Sequence, residues 1–140
     1  MTTSTSTASA TAGNDLLVSR EDGGLTLTFN RPDFRNAVTS DMLTALGEEL
    51  AAAELDPSIG CIVLTGAGGA FCAGGDVKAM AQGHATGMMM DPLLRMERQR
   101  LAHRATSLRL TQMGKPTIAS LPGAAAGAGM SLALACDMRI

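Results

Sequence analysis

"CIVLTGAGGAFCAGGDVKAM", residues 61–80, contains the turn on which the fold depends. Cys61–Gly66 is an apolar run without polar alternation, which suits a strand buried on both faces, as in a parallel sheet. Glycines at 66, 68, 69, 74 and 75 then surround Phe71 and Cys72, and Asp76 stands near the start of a helix. So much bare backbone between a strand and a helix fits a phosphate cradle, a tight turn without a ligand, or an oxyanion hole.

The sequence on either side of this stretch supplies the frame. "DLLVSRE" (15–21) and "LTLTFN" (25–30) read as short strands joined by Asp22-Gly23-Gly24, which is hairpin chemistry. Arg31-Pro32-Asp33 breaks the second strand. "TSDMLTALGEELAAAELDP" (39–57) reads as a helix capped by Thr39 or Ser40, with Met42, Leu43, Leu46, Leu50 and Ala53 on one apolar face and Asp56-Pro57 as its stop.

Downstream, "GHATGMMMD" (83–91) reads as a loop, with the Met88–Met90 run a lid or disordered. Asp91-Pro92 starts a helix running to about Met113, since proline suits the first helical position. Gly114-Lys115-Pro116 stops it. "TIASLP" (117–122) is another buried strand, "AGAGMSLALACD" (126–137) a tightly packed helix, and "MRI" the start of a further strand. The order β-β-α-β-loop-α-β-α-β indicates a layered α/β fold. Ile140 falls inside strand-like sequence, so the chain reads as cut there.

Length and composition narrow the function. With 140 residues one domain with a real core is expected, preceded by a disordered Ser/Thr-rich tail over residues 1–14. The tail lacks the features of a secretory signal, and a cytoplasmic protein is expected. Net charge is −2 and neither Trp nor Tyr occurs, which argues against nucleic acid as a partner. Six bases between Arg95 and Lys115 read as a solvated helix face. Pro116 to Cys136 carries no charge, but Pro122 and abundant Gly and Ala argue against a membrane span. Cys61, Cys72 and Cys136 form no CxxC and have no His at ligand spacing, so they read as buried reduced thiols and no metal site is expected.

Spacing limits what chemistry the two glycine-rich segments can carry. Gly69 and Gly74 have Walker spacing, but Gly75 and Asp76 stand where Lys and Ser/Thr belong. The dinucleotide fingerprint fails because Phe71 occupies the place of the third glycine, and Asp76 would repel a phosphate at that helix start. A serine nucleophile at Ser131 in "GMSLA" lies ten residues beyond Leu121, away from any strand-to-helix elbow, and no His follows it. The oxyanion-hole reading stands beside the ligand-free turn: "CAGGD" and "GAAAGAGMS" each follow a buried strand and each lets a ligand reach the main chain. Two N–H donors converging on a thioester carbonyl would stabilise an enolate.

Three blocks carry a resemblance: "LTFNRPDFRNAVTSDML", "IVLTGAGGAFCAGGDVKAM" and "KPTIASLPGAAAGAGMSLALACDMRI". In this order and spacing they resemble the signature blocks of the enoyl-CoA hydratase/isomerase (crotonase) family, over about residues 16–140, or about half of that family's catalytic domain. The resemblance implies a spiral of β-β-α units, assembly into a trimer or hexamer when full length, acyl-CoA or enoyl-CoA as substrate, a place in fatty acid metabolism, and no cofactor beyond the CoA thioester itself. It implies Gly75 N–H and Ala128 N–H as the two oxyanion donors. Arg35 and Ala37 would lie along the CoA, Ala73, Asp76, Val77 and Ala124 would line the CoA and acyl pocket, and Lys78 would meet a CoA phosphate.

Ordinary roles stand beside these: Lys78 as a solvated charge, Asp76 as a helix-start residue, Arg35 as a turn residue. The chain departs from the family at Gly127-Ala128-Gly129-Met130-Ser131, where Ser131 occupies the position of the hydratase glutamate. A hydroxyl cannot replace a carboxylate as general base. Hydratase, isomerase and a non-catalytic acyl-CoA binding module are therefore all consistent with the residues, with a Ser131 hydrolase as a distant further reading.

Overall fold

The computed structural model describes residues 15–85 and 91–140. The expected tail and the Met88–Met90 run lie outside them.

Strands β1 (Leu16–Glu21) and β2 (Gly24–Phe29) form an antiparallel hairpin with Leu16 opposite Phe29 and Glu21 opposite Gly24. Asp22 and Gly23 both have positive φ, 50° and 79°, the geometry that matches a two-residue turn to the twist of its strands. After a 3-10 turn (Pro32–Phe34), helix α1 (Ser40–Leu55) begins where the Thr39 side chain accepts from Met42 N at 3.1 Å. It buries Met42, Leu46, Leu50 and Ala53, with Leu43 half-buried beside them, as the apolar spacing predicts. Its far end is held from outside: Lys115 Nζ donates to Ala53 O at 2.6 Å and to Asp56 O.

β3 (Cys61–Gly66), β4 (Thr117–Ala119) and β5 (Met138–Arg139) extend the sheet in the order β1-β2-β3-β4-β5, parallel from β2 onward. The core lies against Leu25, Leu27 and Phe29 of β2 and Ile62 and Leu64 of β3, and Phe29 meets Phe71 edge to face at 5.6 Å. β3 is not sealed on both faces as its composition suggests. Ile62 and Leu64 are fully buried, while Cys61, Val63 and Thr65 on the opposite face keep partial contact with solvent.

The helices differ from the sequence reading in three further places. Helix α2 (Val77–Ala85), capped at its start by Asp76 Oδ1 accepting from Ala79 N at 3.0 Å, runs into the beginning of the stretch read as loop. The long downstream helix is interrupted. α3 (Pro92–His103) passes through a π segment (Arg104–Leu108) into α4 (Arg109–Gln112), and at the interruption buried Thr106 donates its hydroxyl to Ala102 O at 2.8 Å. α5 (Ala128–Ala135) starts later than its composition suggests, because Gly127 has φ 51° and ψ −124°, outside the helical region. It also ends earlier, since Asp137 turns back to accept from Thr117 N at 2.8 Å and Thr117 Oγ1 at 2.9 Å.

The thiols divide. Cys72 and Cys136 are buried and Cys61 is half-buried, all of them free. Of the six bases between 95 and 115, Arg100 pairs with Glu97, Arg109 with Glu54, and Lys115 holds the end of α1. Arg95, Arg98 and Arg104 are exposed. Among the described residues no helix is long and apolar enough to cross a membrane, and no group of three or more His, Cys, Asp or Glu could hold a metal ion.

Candidate active site

Two segments about fifty residues apart in sequence lie edge to edge. Residues 71–76 follow β3, and residues 123–128 follow β4; because β3 and β4 are parallel neighbours, both segments leave the sheet at the same end. A short parallel bridge pairs Cys72 with Ala125. Phe71 N and Cys72 N donate to Ala124 O at 3.1 and 3.3 Å, and Ala126 N donates to Cys72 O at 2.9 Å.

The contact is closer than any side chain would allow. A Cβ on Gly129 would stand 2.3 Å from Cys72 O and 2.6 Å from Cys72 Cβ. Gly74, with φ 101°, would place a Cβ 3.5 Å from Ala128 N. Its own N–H donates to Cys72 Sγ at 3.5 Å, and burial pushes the Cys72 thiol pKa up, so the sulfur is neutral at neutral pH.

The direction of the Gly75 N–H follows from covalent geometry. Gly74 O accepts from Val38 N at 2.8 Å, and Asp76 N donates to Val38 O at 3.2 Å. In a planar trans peptide the N–H points opposite to the C=O, so Gly75 N–H points away from Val38. The same rule applies at α5. Gly127 O accepts from Ser131 N at 3.0 Å along the helix, so Ala128 N–H points back out of the helix start. Among the described residues neither N–H finds an acceptor.

The remaining candidate residues gather around these two groups. Ala73 is exposed, and its N–H donates to Arg35 O at 2.9 Å, which sets Arg35, exposed and with φ 49°, beside it. Ala37 is half-buried, and its carbonyl accepts from Arg31 Nη1 at 2.6 Å. Val77 and Lys78 project from the first turn of α2 and are exposed. Ala124 is exposed, with its carbonyl already engaged as described.

Asp76 is held differently from an open pocket residue. One oxygen caps α2 and the other accepts from Arg31 Nη1 at 3.0 Å. The Ala79 N–H, then the Arg31 guanidinium, hold its carboxyl below the usual carboxylate range. Ser131 lies one turn into α5, exposed, with its hydroxyl turned back toward Gly127 O at 3.3 Å. It lines an open groove of about 410 Å³ with His103, Ser107, Leu108, Thr111, Leu134 and Ala135.

Sequence reasoning missed the residues that hold the site together. Asn36 is fully buried with φ 58°; its Oδ1 accepts from Arg31 N at 2.9 Å and its Nδ2 donates to Ala67 O and Ala70 O, both at 2.8 Å. Its usable signal was an asparagine just after a proline turn, a residue type that tolerates left-handed backbone. Arg31 carried no such signal, and Cys72 was legible as a buried thiol but not as a support of the site.

The family model described as enoyl-CoA hydratase/isomerase matches residues 19–140. The protein named Probable enoyl-CoA hydratase EchA14 of Mycobacterium tuberculosis (strain ATCC 25618 / H37Rv) is 45% identical over 115 residues, 81% of this chain and 41% of that one. The 1,2-epoxyphenylacetyl-CoA isomerase of Escherichia coli (strain K12) is 40% identical over 120 residues, 86% of this chain and 44% of the relative. A crystal structure of an enoyl-CoA hydratase/isomerase from Mycobacterium paratuberculosis superposes with a TM-score of 0.77 at 30% identity, covering 90% of this chain and 48% of that one. The chain thus spans less than half the length of these relatives, and its architecture is the crotonase-like α/β fold expected from the sequence. By the span of the family match and the identity it retains, the chain belongs to the enoyl-CoA hydratase/isomerase family.

Proposed function

We propose that the protein is an acyl-CoA enzyme of the hydratase or isomerase type, in which Gly75 N–H and Ala128 N–H together bind the thioester oxygen. The observation that supports this reading most is a pair of N–H groups that meet no acceptor among the described residues, on two segments stitched side by side. Such donors are already oriented, so they stabilise a developing enolate without reorganising at the moment of reaction. That enolate serves water addition to an enoyl thioester and double-bond migration alike.

The CoA thioester is the substrate, and no resident cofactor enters the proposal. Arg35, Ala37 and Ala73 would border the CoA, Val77 and Ala124 the acyl group, and Lys78 a CoA phosphate. Asp76 is assigned to the frame. The Ser131 hydroxyl is no base at neutral pH, so the proton-transferring group is assigned to chain outside residues 1–140. The whole enzyme is proposed to be cytoplasmic and to assemble as a trimer or hexamer.

The test is Ala128→Pro in the full-length protein. Ala128 is the first residue of α5, where proline is tolerated because its missing N–H has no helical partner. The expected result is a folded protein whose kcat for a short enoyl-CoA falls by about a hundredfold or more. Unchanged kcat would remove Ala128 from the site. A second reading, a non-catalytic acyl-CoA binding module, is favoured by Ser131 at the acid's position. It requires saturable binding of the thioester with neither hydration nor isomerisation in the full-length protein.

A further inference from the structure

We propose that Arg31 is a positioning residue for the Gly75 donor, acting through the backbone and without contact with substrate; this rests on the oxyanion-site reading above. Gly75 has no side chain to anchor it, so its peptide plane is fixed by its neighbours. On one side Gly74 O and Asp76 N bond Val38. On the other, Asp76 is committed to the first turn of α2 through Ala79 N.

Arg31 joins both supports. Its Nη1 donates to Ala37 O at 2.6 Å, next to Val38 in the chain, and to Asp76 Oδ2 at 3.0 Å, next to Gly75. One guanidinium nitrogen therefore ties together the two segments whose isolated bridge, Val38 to Gly75, aims the Gly75 N–H.

The arginine is itself held in place. Its backbone N–H donates to Asn36 Oδ1, its guanidinium carbon sits 4.5 Å above the Phe34 ring centroid, and Asp15 Oδ2 lies 3.5 Å from Nε. Side-chain exposure is 14% for both Arg31 and Asp76, which shields the pair from solvent screening. While Nη1 makes both of those bonds, Nε faces Asp15 and the guanidinium carbon lies over the Phe34 ring, a spread of contacts that the single nitrogen of an ammonium cannot make. The geometry thus calls for arginine at this position, and a positive charge alone does not satisfy it.

The experiment uses the full-length protein and hexanoyl-CoA labelled with 13C at the thioester carbonyl, which binds without an enoyl group to react. Infrared difference spectra read the carbonyl shift on binding, and calorimetry reads the affinity. The expected result is a downshift in the wild type and a clearly smaller one in Arg31→Gln, with affinity changed less than about threefold; kcat on an enoyl-CoA then falls about a hundredfold, the scale of an ångström-sized misplacement. Arg31→Lys is expected to restore little of either, and Arg20→Gln, which breaks a remote pair with Glu49, leaves both unchanged.

A full wild-type shift in folded Arg31→Gln overturns the inference and leaves the oxyanion reading intact. No shift or no binding in the wild type overturns that reading, and the inference with it. If Arg31→Gln does not fold, Asp76→Asn serves, since it keeps an oxygen for Ala79 N and removes the charge facing Arg31; an undiminished shift there also overturns the inference.

Discussion

At Gly129 the absence of a single carbon decides whether the site can close. Its would-be Cβ lands 2.3 Å from the Cys72 carbonyl oxygen, a backbone atom that cannot rotate away. Gly129→Ala is therefore expected to cost about 1–3 kcal/mol as overpacking, read from the urea midpoint at unchanged m-value. Thiol chemistry offers a second check at this scale. Burial raises the Cys72 pKa and pushes that of Cys136 up to about 11, and the thiolate is the reactive form. Iodoacetamide at neutral pH should modify Cys61, which is only half-buried, well before the other two, and all three should react at comparable rates in urea. Equal rates in the native state would show that the segment under the site opens readily.

Among the elements, what the sequence disclosed and what it hid follow one rule: signals within a few residues were legible, and signals between distant residues were not. The hairpin at Asp22-Gly23, the Thr39 cap, the apolar face of α1 and the Asp91-Pro92 start all rest on neighbours in the chain, and all form where read. The π segment needs Thr106 buried by tertiary packing, and the early end of α5 needs Asp137 to find Thr117 twenty residues away. The candidate donors were named through family resemblance, while the Arg31–Asp76–Ala37 tie could not be, because it spans forty-five positions. The Asp137–Thr117 tie has its own test. Thr117→Val removes the hydroxyl but keeps the backbone donor, and should lower stability by about 1 kcal/mol in urea unfolding. No change would mean that the N–H bond alone holds the β4–α5 junction.

For the whole molecule, acid and apolar surface set the limits. Asp76 and Asp137 are both held below the ordinary carboxylate value, each first by a backbone N–H and then by its partner side chain. A depressed folded-state pKa contributes stability that is present above the unfolded value of about 3.9 and is lost as pH falls through the folded value. Urea midpoints should thus stay level from neutrality to about pH 5 and drop below about pH 4, with a smaller drop in Asp137→Asn. Leu108 and Leu134 are exposed and line the apolar groove beside α5. Residues 1–140 on their own should therefore associate with rising concentration, and Leu134→Lys should raise the concentration at which sedimentation detects it. Concentration-independent sedimentation would show that this surface is tolerated in water.

The bridge between Cys72 and Ala125 also governs when the site comes into being. Its two halves are fifty-three positions apart and sit just beyond the parallel β3–β4 pair, so the bridge is expected to form only once that long loop has closed. The bridge then works as a clock for folding: refolding protein should recover helical signal before the Ala126 amide is protected, and that amide should afterwards exchange with deuterium only as slowly as the sheet itself opens.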